Sequence, residues 1–477
     1  MKTYQDLLAV GEEEKNRILF LQSAIEAHKK SEMYRIAFDA EEYDRQRNVT
    51  ILSYQKLLYT ISGRAVPDNY SANHKVASSF FNRFITQENQ YLLGNGVSLE
   101  EESNKAKLGE DFDTILQQAG RNALVQGVSF GFWNLDHLEV FKLTEFVPLY
   151  DEENAALKAG IRFWQVDADK PLRATLYEMD GYTDYLKSRH GLMNVLREKR
   201  PYQQIVRESE IDGTEILDGE NYPGFPIVPL WGNLHHQSEL VGMRQSIDAY
   251  DLIKSGFAND LDDASQIYWT LQNAGGMDDV DLAQFLDRIR VVKAAVVDGD
   301  AGAKAEAHTL EVPYASRIAY LERLEQDMYN DFQALNVTAL QGGQKTATEI
   351  NAAYMPLDLK TDQFEYCVRD FLQRLFFLVG IEDTPSFDRN KVSNTSEAMQ
   401  TLMLAANYLD EEYITRKACA ILGDPDAAEE ILKRRDAEEL IRLGTAARSS
   451  FADGRGQTGV TGDGDGSGTS ADGETTA

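Results

Sequence analysis

Positive charge is what this chain lacks most. Across 477 residues, 48 Lys and Arg stand against 78 Asp and Glu, a formal net charge of −30. Such a surface cannot hold nucleic acid by neutralising phosphates, which needs a matching set of cations. It can still surround DNA without gripping it, because an acidic lining repels phosphate. Cysteine is nearly absent. Cys367 and Cys419 stand far apart with no CxxC or neighbouring His. That spacing excludes a disulfide scaffold and reads as two buried free thiols, folded under reducing conditions. No run of about 18 apolar residues occurs, so no transmembrane helix and no membrane partner are expected. The opening stretch turns acidic at Glu12-Glu13-Glu14 without the apolar segment of a secretory leader. Against these shortages, 43% hydrophobic and 10% aromatic residues are the content of a folded chain. The length suits two to four domains or one multi-part subunit.

The pattern along the chain is helical first. Residues 3–62 read as helix, residues 71–93 as another helix ended by Gly94-Asn95-Gly96, and residues 111–126 as a third. From 128 to 230 the apolar period shifts toward two. Strands are expected at 130–135, 139–143, 161–166 and 174–177, with Pro226–Leu230 closing the region.

Residues 238–358 are the most informative span. Leu240, Met243, Ile247, Tyr250, Ile253, Phe257 and Leu261 form one helical stripe, with Ser238 placed to cap it. Tyr314, Ile318, Leu321, Leu324, Met328, Phe332 and Leu335 form a second, with Pro313 in the first turn. Between them lies a small αβ insert with a helix around 279–288, a Val-rich strand at 291–297 and a turn at Asp298-Gly299-Asp300. Past the second stripe comes the polar loop Gln341-Gly342-Gly343-Gln344-Lys345-Thr346. Helix then restarts at Thr348-Glu349-Ile350 and runs past Pro356 to Gly380. Three short helices are expected over 395–443. A Gly/Thr/Asp-rich tail from about 450 is expected to be disordered. The polar faces of the two long helices are acidic, with Asp248, Asp251, Asp260, Asp262 and Asp263 on the first and Glu322, Glu325, Asp327 and Asp331 on the second. They are either an ordinary solvated surface or the wall of an acidic channel.

The catalytic candidates fail on context. Gly127-Val128-Ser129-Phe130-Gly131 matches a nucleophile elbow, but that motif needs strand before Ser and helix after it, and here the order is reversed. A serine hydrolase using Ser129 is therefore kept only as an alternative, beside a monomeric scaffold or adaptor. Asp463, Asp465, Ser467, Gly468 and Glu474 have calcium-loop spacing in a tail without flanking helices. Adjacent His235 and His236 point apart in any strand or turn. Gly342–Thr346 lacks the first glycine of a phosphate-binding loop and follows helix instead of strand. No catalytic residue, metal or cofactor is expected.

Several stretches stand in a telling order. Asn73-His74-Lys75-Val76 leads to Tyr91-Leu92-Leu93-Gly94-Asn95, then come Gln126–Phe132 and Thr144–Asp151. Phe225–Asn233 follows, with its bracketing prolines, and then Ser238-Glu239-Leu240 with Ile247–Asp251. In this order they resemble the portal proteins, or head-to-tail connectors, of tailed bacteriophages, over roughly residues 70–380. The resemblance implies an α+β, mainly helical, elongated subunit. Its parts would be a wing (1–237), a first stem helix (238–266), a clip (267–312), a second stem helix (313–336) and a tunnel loop (337–357). A long wing helix and linker (358–394), a helical crown (395–450) and an acidic tail (451–477) would follow. It implies a ring of usually twelve subunits at one capsid vertex, a virion component assembled in the host cytoplasm. Its partners would be the major capsid protein, terminase, head-tail adaptors and double-stranded DNA threaded without sequence specificity. Gln341, Gln344, Lys345 and Thr346 would then touch DNA, and Asp248, Asp251, Glu322, Glu325, Asp327 and Asp331 would form the acidic stem faces.

Overall fold

Four helices open the chain, and side-chain caps start the first and the third. Thr3 and Asp6 cap α1 (Tyr4–Val10) reciprocally, and Gly11, at φ 72°, ends it. Helix α2 (Glu14–Lys29) follows. Ser31 accepts the Tyr34 amide to start α3 (Glu32–Asp44), and α4 is Val49–Ser53. The structure, a computed structural model, describes residues 2–59, 62–68, 72–187, 193–209, 213–264, 268–272, 304–308, 314–340, 347–391, 395–424, 427–435 and 437–438. It divides into two units, residues 1–391 and 392–477.

The helix expected through residue 62 stops short. Leu57–Tyr59 (β1) pairs instead with Ala65–Pro67 (β2). The next helix, α5 (Phe80–Leu93), starts nine residues later than expected from 71, because the amides of residues 74, 76 and 78 are bonded to side chains elsewhere. Helices α6 (Glu102–Ala106) and α7 (Phe112–Gln126) complete the helical part. Gly120 lets α7 lie directly on α5: a methyl group there would sit 2.6 Å from Asn89 Oδ1 and 2.7 Å from Leu93 Cδ1. Gly127, at φ 92°, ends α7 in the left-handed conformation.

Buried on both faces, β3 (Val128–Asn134) pairs with β4 (His137–Lys142). Strands β5 (Phe146–Tyr150), β6 (Leu157–Trp164), β7 (Leu172–Glu178), β8 (Gly181–Lys187) and β9 (Met193–Arg200) form an antiparallel meander in chain order. β10 (Gln203–Ser209) and β11 (Gly213–Glu220) make a separate hairpin. β12 (Ile227–Trp231) then returns to pair with β3 in the order β12-β3-β4. Helices α1 and α2 cover the meander through Leu7, Phe20, Leu21 and Ile25. A larger core joins α3, α5, α7 and the three-stranded sheet. Helix and antiparallel sheet are therefore mixed, as the α+β reading expects.

Helix α8 (Leu240–Ala264) leaves this core. Ser238, expected as its cap, accepts the Leu240 amide at 3.1 Å. β13 (Tyr268–Gln272) and β14 (Lys304–His308) pair antiparallel and bracket the insert. The expected insert helix, Val-rich strand and turn lie outside the described residues. Helix α9 (Tyr314–Phe332) returns to the core and ends four residues before the expected 336. There Gln333 adopts φ 60° and the Ala334 amide reaches back to the Tyr329 carbonyl at 2.9 Å. A short α10 (Val337–Leu340) follows. The long α11 (Ala347–Val379) begins inside the span assigned to the loop 337–357 and runs through Pro356, which removes one backbone hydrogen bond.

In the second unit, α12 (Thr395–Ala405) and α13 (Glu411–Leu422) precede a helical stretch at 427–435. Asp410 caps α13 and Gly423 ends it at φ 85°, the stop expected there. The tail 451–477 lies outside the described residues. Cys367 and Cys419 are both buried, and burial pushes the Cys367 thiol up to about 11. Among the described residues, no helix is long and apolar enough to cross a membrane.

Candidate functional site

Helices α8 and α9 form one hairpin whose two halves differ. At its root, Leu240, Met243 and Ile247 of α8 and Met328 and Phe332 of α9 are buried in the main core. Phe84 of α5 stacks on Phe332 with ring centres 4.9 Å apart, and Phe80 meets Tyr250 edge-on at 5.0 Å. In the outer half the two helices mainly meet each other. Phe257 meets Tyr314 edge-on at 5.8 Å, and Arg317 pairs with Asp260. Leu252, Leu261, Tyr314, Ile318 and Tyr320 are exposed there although large and apolar.

The expected acidic faces divide as well. Asp251 is 0% exposed and cannot be a surface charge in this chain. Its carboxylate accepts the Ser78 amide at 2.9 Å and the Asn48 side-chain amide. Burial raises its pKa, opposed by those hydrogen bonds. Asp248 is partly buried. It accepts from the Tyr43 hydroxyl and from Thr50 at 2.8 Å, with Arg244 at 3.8 Å. Burial and Asp248 together push the Tyr43 hydroxyl up to about 12. On α9, Glu322 and Asp331 are exposed, and Glu325 and Asp327 are half-buried. Asp327 pairs with Arg323 at 3.0 Å. Glu325 lines a pocket of about 290 Å³ with Arg83, Tyr250 and Lys254. The α9 acids thus share one helix, while the two α8 acids belong to contacts within the subunit.

Those contacts are a strap that sequence reading missed. The amides of His74, Val76 and Ser78 donate to Asn259 Oδ1, Ser255 Oγ and Asp251 Oδ1 at 2.6, 3.0 and 2.9 Å. His74 Nε2 also meets Asp262 at 2.5 Å. The match is geometric: two residues of extended chain advance about 6.6 Å, and four residues of helix advance about 6 Å. Small polar residues every fourth position on α8 therefore meet alternate amides of an antiparallel extended segment. The available signal was Asp251, Ser255 and Asn259 at helical spacing, beside a run of 72–79 with no apolar helical stripe.

The remaining candidates separate cleanly. Ser129 is 0% exposed and its hydroxyl donates to the Ala119 carbonyl at 2.8 Å, so it offers no nucleophile at a surface. His236 stacks on Trp231 with ring centres 3.9 Å apart in a turn, and burial lowers its pKa. Gln341, Gln344, Lys345 and Thr346 lie outside the described residues, as do Asp463, Asp465, Ser467, Gly468 and Glu474.

The family model described as phage portal protein, SPP1 Gp6-like, matches residues 22–439. A portal protein of Bacillus phage SPP1 is 24% identical over 384 residues, covering 73% of this chain and 73% of that protein. A portal protein of Clostridium phage phiCD119 is 29% identical over 362 residues, covering 69% of this chain and 77% of that protein.

Proposed function

The chain belongs to the SPP1 Gp6-like family of phage portal proteins, and from that premise we propose that it works as a closed ring of identical subunits at one capsid vertex. Twelve copies is the number we propose. The ring is the channel through which double-stranded DNA is packaged and ejected, and the platform on which terminase and head-tail adaptors dock. It is a structural component of the virion, assembled in the host cytoplasm, with no catalytic step of its own. The α8–α9 hairpin is the stem, residues 267–312 are the clip, and residues 337–357 are the tunnel loop. Residues 395–450 are the crown.

One observation supports the stem assignment most. The outer half of the hairpin exposes Leu252, Leu261, Tyr314, Ile318 and Tyr320, which a lone subunit leaves wet. A heterologous ring covers such surface, because each subunit presents two different faces to its neighbours. The outer face of α11, with Met355, Leu359, Tyr366 and Phe377 exposed, is further surface for those contacts. Glu322 supplies non-sticking acidic surface toward DNA, while Asp331, about two and a half helical turns further on, lies on the opposite side of α9. Glu325 and Asp327 contribute less, being half-buried. Gln341, Gln344, Lys345 and Thr346 make weak contacts to phosphate, which carry no sequence information.

Mass measurement of the purified chain, with negative-stain imaging, tests the reading. A discrete ring mass is expected. A stable monomer at high concentration overturns it and favours a scaffold or adaptor. Lys345→Ala should lower packaging while rings still assemble. Loss of rings from a folded subunit removes the loop's assigned role.

A further inference from the structure

The hairpin root holds three charges with little access to water. Glu88 of α5 is 1% exposed. Lys360 of α11 places its ammonium 3.3 Å from a Glu88 oxygen and 2.8 Å from Glu239, the residue preceding α8. The same ammonium lies 3.0 Å from the centre of the Phe332 ring, the last residue of α9. One cation therefore touches the body, the head of α8 and the foot of α9. The Asn233 amide holds Glu239 from its other side at 2.7 Å. One turn is enough to bring α5 to the chain just past α9, where Gln87 exchanges hydrogen bonds of 3.0 and 3.1 Å with the Leu335 backbone.

Burying an ion trio is a poor way to gain stability, since well-packed apolar side chains of similar volume often do as well or better. Its distinctive property is direction, because the pairs work only in one geometry. We propose that Lys360 is a positioning residue: shared between Glu88 and Glu239 and seated on the Phe332 ring, it sets the angle at which α8 and α9 leave the body. This goes beyond the channel reading and stands on the packing of one subunit alone.

Two carboxylates to one ammonium leave a negative charge in excess. The charged groups facing Glu88 are Lys360 from α11 and Glu239 at the head of α8, and α9 presents the Phe332 ring. Burial raises the Glu88 carboxyl to about 7, Lys360 pulls it down and Glu239 adds to the rise. Below that value Glu88 is protonated and the ammonium is left to Glu239. Above it the ammonium is shared, and α5 is tied to the hairpin root. The hold is therefore tighter in the alkaline range. Stability runs the other way: the native value lies above the ordinary one, so the Glu88 contribution is full in acid and is lost as pH rises through about 7.

Spin labels at Arg173→Cys in β7 and Ala319→Cys in α9, both exposed sites, report the distance between body and hairpin. Cys367 and Cys419 are buried, and dilution into unlabelled chain isolates one subunit's distance in any assembly. Double electron–electron resonance should give a narrow distance distribution at about pH 8.5 that broadens at about pH 6. Glu88→Gln, which keeps shape and removes the charge, should be broad at both and lose the pH response. Lys360→Met should match it. A native distribution as broad at about pH 8.5 as that of Lys360→Met overturns the proposal. So does a Glu88→Gln chain that stays narrow and responds to pH as the native chain does. Should Lys360→Met fail to fold, the Glu88→Gln result decides.

Discussion

The two halves of the α8–α9 hairpin share a backbone but not a source of stability. At the root, Ile247 is 0% exposed and belongs to the same core as β3 and α11. In the outer half, Ile318 is 46% and Tyr320 50% exposed. The root is completed by its own subunit, packed against the sheet, α5 and α11, while the strap 72–79 runs on along the outer half through Ser255, Asn259 and Asp262. The outer half has one partner helix and a set of polar ties. The same helical stripe thus serves folding at one end and, on the proposed reading, assembly at the other. Periodicity alone cannot tell these ends apart, because both carry apolar residues three or four positions apart.

Mutations can break that contrast at either end. The largest effect on the isolated subunit is expected from Ile247→Ala, which leaves a cavity in a dense core and should cost about 2–5 kcal/mol. Urea denaturation followed by circular dichroism checks it. A loss comparable to that of an exposed site would mean the root is not continuous with the core. Next comes Asp251→Ala, which strips the acceptor from the Ser78 amide and the Asn48 side chain and should cost about 1–3 kcal/mol. Hydrogen exchange should accelerate at the amides of 74, 76 and 78 while β3 stays protected. Uniform acceleration across both would show that the strap has no separate role. Smaller again, Ser238→Ala removes the acceptor of the Leu240 amide and a donor to the Val125 carbonyl, about 1 kcal/mol. Thermal melting at fixed pH measures it, and an unchanged midpoint would dismiss the capping argument.

Legibility from sequence followed the same divide. Elements with strong local signals were readable: α7 with its glycine stop, β3 and β4, β12 between prolines, α8, and α13 ended by Gly423. Strands β8 to β11 were not, because Met193–Arg200 carries four charged residues and each strand of the β10–β11 hairpin has only a short aliphatic pair, Ile205-Val206 and Ile216-Leu217, without an alternating pattern. Residues 72–79 read as helix because no Gly or Pro separates them from α5, although they carry no apolar stripe of their own. Their conformation is set by Asp251, Ser255 and Asn259, far away in sequence. The same long-range contacts explain the misplaced acids. Asp248 and Asp251 sit on the polar side of a helical wheel, but that side faces the strap and α3–α4 instead of water. Lys360 and Glu88 gave no signal, since each looks like an ordinary surface charge until four elements converge on them.

The smallest expected effect on the subunit carries the most weight for the comparison. Ile318→Asp lies in the outer half, where the native side chain is already half wet, so its cost to the isolated fold should stay within about 0.5 kcal/mol. The same change puts a charge one helical turn from the exposed Tyr314, on apolar surface that a neighbouring hairpin is proposed to cover. A desolvated, unpaired carboxylate there opposes association even where folding is untouched. The expected result is a chain with native denaturation behaviour that sediments as a monomer while the unmodified chain sediments as a ring. Ile247→Ala should give the reverse, a weakened subunit whose surviving folded fraction still assembles. If Ile318→Asp instead unfolds the subunit, the outer half is part of the core after all. If it leaves ring mass intact, those side chains face the channel or solvent and the contacts between subunits lie elsewhere, with the outer face of α11 the next surface to test.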